Sequence, residues 1–301
     1  LLRSALLRAS RSEWLGERLP RWRFARHAVR RFMPGETLED ALGAARGLEA
    51  DGVGTVLTEL GENVATAADA AGVERAYHVA FDGIARARLG AELSVKPTHL
   101  GLDLGRDVAL GHLRALAERS ASLGRTLWID MEGSAYTDAT LALYRALRAY
   151  TPSVGVCVQA NLRRTAADLD ALLPLAPAIR LVKGAYLEPP ALAFQRKAEV
   201  DLAYLTLAGR LLGRGAARVA LATHDARMID ALQRDVANAD GRAEFQMLYG
   251  IGRESQRSLA AAGVPLRVLI SYGVAWYPWY VRRLAERPAN VWFLVRALAG
   301  R

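Results

Sequence analysis

Cysteine is almost missing from this 301-residue chain: Cys157 is the single one, so no intramolecular disulfide and no cysteine-based metal or redox motif can form. A reducing cytoplasm fits, and Cys157 reads as a small hydrophobe in a buried strand. Long apolar runs are also missing. Arg, Asp or Gly interrupts every hydrophobic stretch well before the roughly 18 residues that a membrane span needs, which predicts a soluble protein. Low-complexity tracts and Pro- or Gly-rich linkers are absent, which argues against a second catalytic domain. Lysine is scarce as well. Lys96, Lys183 and Lys197 stand among 40 basic residues, so each lysine marks a place where a compact ammonium can serve as a guanidinium cannot.

What is abundant is apolar residues, 52% of the chain, enough for one large core of the size of a (β/α)8 barrel. The formal net charge of +9 is unevenly spread. Most of it lies in residues 1–31, where nine arginines face only Glu13 and Glu17, with Leu6, Leu7, Trp14, Leu15, Trp22 and Phe24 interleaved. Such an arm can cover a barrel with its apolar face or meet a phosphate-rich surface, and the near-neutral remainder argues against a nucleic-acid partner. The acidic residues and the lack of serine enrichment weaken a transit-peptide reading.

A helix-like stretch, Thr37–Ala50, closes residues 1–50 as a basic helical extension. Residues 51–301 then alternate between β-branched runs and helix-period segments. The predicted strands are Val53–Thr58, Glu92–Lys96, Thr126–Asp130, Val154–Gln159, Ile179–Lys183, Val219–Thr223, Glu244–Leu248 and Leu266–Ile270. Helical patterns follow near 63–88, 106–123, 138–149, 165–173, 194–212, 226–236, 254–261 and 276–286. Eight such units predict an α/β fold of the (β/α)8 barrel type. A doubly wound open sheet is the alternative, but no G-x-G-x-x-G follows the first strand.

In a barrel the working residues gather at the C-terminal ends of the strands. Those ends carry Glu59 and Glu62, Lys96, Asp130 and Glu132, Gln159 and Asn161, Lys183-Gly184-Ala185-Tyr186, Thr223-His224-Asp225 and Gln246-Met247-Leu248-Tyr249. Polar groups at nearly every end predict a ligand-binding mouth. The last helix adds Arg282, Arg283 and Glu286. These read either as an exposed ion-paired helix or as a guanidinium pair suited to a carboxylate. With Lys96 nearby, three cations would imply an anionic substrate.

The chain after about residue 37 resembles the proline dehydrogenase family. The resembling stretches are L-G-E-N-V (60–64), S-V-K-P (94–97), W-I-D-M-E (128–132), V-C-V-Q-A (156–160), I-R-L-V-K-G-A-Y (179–186), A-T-H-D (222–225), E-F-Q-M-L-Y-G (244–250) and Y-V-R-R-L-A-E-R-P-A-N (280–290). The resemblance implies FAD across the barrel mouth and an amino-acid substrate whose carboxylate is held by Arg282, Arg283 and Lys96. It implies that Glu62 pairs with Arg282 and that Tyr186 and Leu248 wall the pocket. Flavin contacts would fall to Gln159, Arg180, Lys183, Gly184, Ala185, Thr223, His224 and Glu286, with Arg180 near the flavin N5. The implied reaction is oxidation of L-proline to 1-pyrroline-5-carboxylate by hydride transfer to N5, with a quinone as the eventual acceptor. The protein's part is orientation, with Asp130 positioning rather than transferring a proton. If the quinone is membrane-borne, the basic arm could hold the enzyme at the inner membrane surface. Nothing in the sequence sets an oligomeric state.

Two positions depart from the family pattern. Leu269 stands where the eighth strand usually carries a tyrosine that meets the third-strand aspartate, so Asp130 is expected to lose its partner. Trp279 replaces a second substrate-packing tyrosine. The changes would suit another cyclic or secondary amino acid such as hydroxyproline or pipecolate. A slipped alignment would let Tyr272 supply the missing hydroxyl. Two further readings are a non-catalytic homologue with a degenerate site and a lyase using Lys183 as a Schiff-base nucleophile.

Overall fold

The computed structural model describes residues 31–213 and 215–276. Thr37 caps the first helix, α1 (Leu38–Ala50): its side chain accepts from the Asp40 amide, and the Asp40 side chain accepts in return from the Thr37 amide. The chain then alternates strand and helix: β1 (Gly54–Glu59), α2 (Ala67–Arg86), β2 (Glu92–Val95), α3 (Arg106–Ser122), β3 (Leu127–Ile129), α4 (Thr137–Tyr150), β4 (Val154–Gln159), α5 (Thr165–Leu172), β5 (Ala178–Val182), α6 (Lys197–Gly213), β6 (Arg218–Ala222), α7 (Ala226–Ala237), β7 (Ala243–Leu248), α8 (Arg253–Ala261) and β8 (Leu266–Tyr272). All eight strands pair in parallel and in chain order, and β8 closes on β1 from Gly54 opposite Arg267 to Glu59 opposite Tyr272. The fold is therefore the closed (β/α)8 barrel, not the open sheet.

Successive strand residues face opposite ways, so one set packs on the helices and the other fills the barrel. Leu57, Leu93, Leu127, Val156, Ile179, Leu221 and Phe245 belong to the large apolar cluster shared with the helices. The inward set is tiered. Glu92, Arg218, Glu244 and Arg267 form an ion-paired lattice near the strand starts. Val56, Trp128, Ala178 and Ala220 pack above it with Leu269. Ser94, Asp130, Arg180 and Gln246 bond to one another nearest the strand ends. The indole of Trp128 takes so much of the middle tier that a β-carbon at Gly155 would lie 2.5 Å from it.

Helix α1 packs on β1, β8 and α2. The Glu49 carboxylate accepts from Thr55 Oγ1 at 2.6 Å and from the Gly90 amide at 2.7 Å, which ties the helix to the strand starts. Residues 1–30 lie outside the described part, as does most of the predicted 276–286 helix.

Several boundaries differ from those read in the sequence. Helix α2 begins at Ala67 rather than Asn63, because Asn63 adopts a left-handed φ of 55° and donates to Asp103 at 2.8 Å. Helix α6 begins at Lys197 rather than Phe194. The Phe194 amide bonds the Asn161 carbonyl, and Ala193 bridges Leu162, so the backbone there is committed to the loop after β4. Strand β8 extends two residues further, to Tyr272.

Candidate active site

A cleft of about 700 Å³ opens at the C-terminal ends of the strands, in the size range of small-molecule and cofactor sites. Lys96, Asp130, Gln159, Arg180, Lys183, Gly184, Ala185, Tyr186, Thr223, His224, Leu248 and Leu269 all line it. Glu62 does not. It lies on the rim loop after β1, in the electrostatic reach of His99 and Glu132. Trp279, Arg282, Arg283 and Glu286 lie outside the described residues.

Arg180 is the most constrained cation of the cleft. Its Nε donates to Gln246 Oε1 at 2.6 Å, and its Nη1 donates to Asp130 Oδ1 and Ser94 Oγ, both at 2.7 Å. Ser94 in turn donates to Asp130 Oδ1 at 2.7 Å. The guanidinium lies 4.7 Å over the Trp128 ring. Only Nη2 has no partner among the described residues, although Arg180 is 3% exposed. A buried guanidinium nitrogen without a partner is rare in proteins, and here it belongs to a residue that lines the cleft. Asp130 thus has partners after all. With Leu269 on β8, the third-strand carboxylate is satisfied by Ser94 and Arg180 instead of a tyrosine. Tyr272 supplies no substitute hydroxyl, because its buried side chain belongs to the outer apolar cluster.

Lys183 sits in a second charged group. Its Nζ donates to Asp201 at 2.7 Å and Asp225 at 2.9 Å, and Lys197 joins both carboxylates. Burial disfavours the Asp225 carboxylate, but bonds and charge from Lys183 and Lys197 outweigh it and bring its pKa to about 2. Both carboxylates engage the Lys183 Nζ in ion pairs, whereas Schiff-base attack requires a free amine lone pair. Next to it, Gly184 has φ +106°, and a β-carbon there would fall 2.0 Å from Asn161 Oδ1. That amide oxygen is buried without a partner among the described residues, and Asn161 lines the cleft.

Glu132, whose pKa burial raises, accepts from the Thr98 amide at 3.1 Å and its hydroxyl at 2.6 Å, which fixes the turn after Lys96. His99 in the same turn is kept neutral, its pKa lowered to about 4 by burial and by Lys96. Burial pushes the Cys157 thiol up to about 12, so the cleft floor holds no thiolate. Of the residues outside the expected site, Asp201 and Ser94 bind its charged side chains, and Glu188 reaches across to the Ser134 amide at 2.7 Å. Ser94 was visible within S-V-K-P. No sequence signal distinguishes Asp201 or Glu188 from other surface acids.

A closed parallel barrel with charged, partly unsatisfied groups converging at its strand ends defines a barrel of the enzyme type, built to hold a polar ligand. The family model described as proline dehydrogenase matches residues 41–296. Proline dehydrogenase 1 of Bacillus subtilis is 38% identical over 276 residues, covering 91% of each chain. Proline dehydrogenase of Deinococcus radiodurans is 36% identical over 276 residues, covering 89% of each. The chain belongs to the proline dehydrogenase family, and so to a family of oxidoreductases. Its fold also matches proline utilization A (PutA) from Bdellovibrio bacteriovorus, with a TM-score of 0.80 and 22% identity over 87% of this chain. The chain spans about a third of that much longer protein. Among the described residues no helix is long and apolar enough to cross a membrane.

Proposed function

We propose that this chain oxidises L-proline to 1-pyrroline-5-carboxylate with FAD bound across the barrel mouth. The observation that carries the reading is Arg180, a buried cation that lines the cleft and whose Nη2 has no partner among the described residues, in a chain of this family. The cofactor fits the residues present: Arg180 carries a donor and Asn161 an acceptor that are unpaired among the described residues, and the glycine at 184 leaves close backbone approach. Gln159, Lys183, Ala185, Thr223 and His224 would complete the contacts, and Glu286 is assigned with them. Bound FAD would supply the hydride acceptor that no amino-acid side chain provides.

The chain's own part is orientation. Lys96, with Arg282 and Arg283, would clamp the substrate carboxylate, and Glu62 would pair with Arg282 to close the rim. Leu248, Leu269 and Tyr186 wall the space left for an apolar ring and exclude water. No side chain needs to take a proton from a substrate amine that enters neutral. A quinone would receive the electrons, and the basic arm would assist at a membrane surface.

One observation favours a second reading of the substrate. Leu269, in place of a tyrosine, presents a purely apolar surface to the cleft, and Trp279 is assigned to the same pocket, so a larger or substituted ring would be preferred. Anaerobic bleaching of the purified yellow protein across proline analogues tests both. Bleaching by L-proline supports the first, and bleaching by an analogue alone supports the second. A protein that binds no FAD is the degenerate homologue.

A further inference from the structure

Between the cleft and the strand starts, the barrel holds one unbroken polar column. Arg180 Nε donates to Gln246 Oε1 at 2.6 Å, and Gln246 Nε2 donates to Glu244 Oε1, also at 2.6 Å. Because one end of the carboxamide meets a donor-only guanidinium and the other an acceptor-only carboxylate, its orientation has a single solution. Glu244 then binds Arg218 at 2.8 Å and Arg267 at 3.3 Å, and Arg218 binds Glu92 at 2.5 Å. Trp128 stands beside this column. Its ring lies 4.7 Å from the Arg180 guanidinium and 5.2 Å from that of Arg218, and its Nε1 donates to Glu92 at 2.8 Å.

The charges of this column cancel in two groups. Arg218 and Arg267 balance Glu92 and Glu244 in the lower lattice, and Arg180 balances Asp130 at the cleft. Gln246 is the neutral joint between them. It donates to the acid below and accepts from the cation above, so it transmits position without changing charge. Charge-assisted bonds in a site shielded from water are strong and directional. With Nε and Nη1 both committed, the guanidinium plane is fixed, and Nη2 alone has no partner among the described residues.

We propose that Gln246, braced by Glu244, is a positioning residue that holds the Arg180 guanidinium in the orientation in which it meets the flavin. The proposal rests on the flavin reading above, and it reaches a residue of the barrel interior rather than a further contact of the mouth. Replacing the joint by a carboxylate would place a second anion on Arg180 and a like charge against Glu244, whereas an apolar replacement would leave Arg180 Nε and Glu244 Oε1 unpaired.

The test compares full-length wild type, Gln246→Glu, Gln246→Leu and Glu92→Gln. The measurements are FAD affinity of the apoprotein by fluorescence quenching, reduction potential of the bound flavin by dye equilibration, and thermal unfolding. Q246E should shift the potential to more negative values, and Q246L should weaken FAD binding about tenfold or more. E92Q disturbs the lower lattice without touching Gln246 and should lower the unfolding temperature while leaving the potential unchanged. Wild-type potential and affinity in both Gln246 variants would overturn the proposal, as would an equal shift in E92Q, which would mark general loosening of the barrel. If Q246L does not fold, the potential of Q246E decides. Failure of wild type to bind FAD would instead overturn the functional reading, and the proposal with it.

Discussion

The amide oxygen of Asn161 occupies the space that a β-carbon on residue 184 would need, 2.0 Å away. The two residues come from the ends of neighbouring strands, β4 and β5, and together they set how closely a ligand can approach the backbone. Gly184→Ala should cost about 1–3 kcal/mol from its left-handed φ alone, with the clash displacing Asn161 as well. The expected result is a lower unfolding temperature and weaker FAD binding. Adding Asn161→Ala should relieve the clash but not the backbone strain, so that recovery is partial.

The two lysines and two aspartates beside the cleft make a pH prediction. Asp225 is depressed to about 2 in the folded protein, below the unfolded value near 3.9, so its contribution to stability is present above about pH 4 and is lost as pH falls toward 2. Asp201 is shifted in the same direction by the same lysines. Unfolding temperature followed from pH 6 downward should fall below pH 4. That acid-side loss should be smaller in Asp225→Asn, which starts less stable at neutral pH.

Asp130 neutralises a guanidinium that is nearly fully buried, so Asp130→Ala should destabilise by roughly 2–4 kcal/mol, because an uncompensated charge remains inside. Asp130→Asn keeps an acceptor for Ser94 and should lose less. Denaturant unfolding of the two variants checks the order.

Leu269 meets both the middle tier of the barrel and the cleft. Leu269→Ala should cost about 2 kcal/mol and raise turnover of six-membered-ring analogues relative to proline. Leu269→Tyr should destabilise by about 1–3 kcal/mol through overpacking against Val56 and Trp128. Calorimetry and a substrate panel separate the two effects.

Cys157 should resist alkylation at pH 8 in the folded protein and react once unfolded, since its thiol is buried with a pKa near 12. Cys157→Ala should retain FAD binding. Rapid modification of the native protein would contradict the description of the cleft floor.

The strands were legible because each apolar, β-branched run is short and followed by a helix-period segment. The cleft was legible because a barrel gathers its strand ends on one face, where Lys96, Asp130, Gln159, Lys183 and Thr223 were expected and are found. Helix starts were read less well. Nothing local marks Asn63 as left-handed, because the partner that holds it, Asp103, is 40 residues away. The partners of Asp130 were misjudged for a similar reason. A missing tyrosine on β8 is visible in the chain, but the replacement comes from Ser94 on β2 and Arg180 on β5.

Alternation along each strand is a property of the chain itself, since a period of two follows from the extended backbone and places Glu92, Arg218, Glu244 and Arg267 on definite faces. Which acid meets which base is not. Gln246 and Arg180 are 66 residues apart, and Arg218 and Glu92 are 126 apart, and no spacing in the chain relates them. Barrel closure brings them together, and once water is excluded, a charge in that interior persists only where another charge or a hydrogen bond meets it.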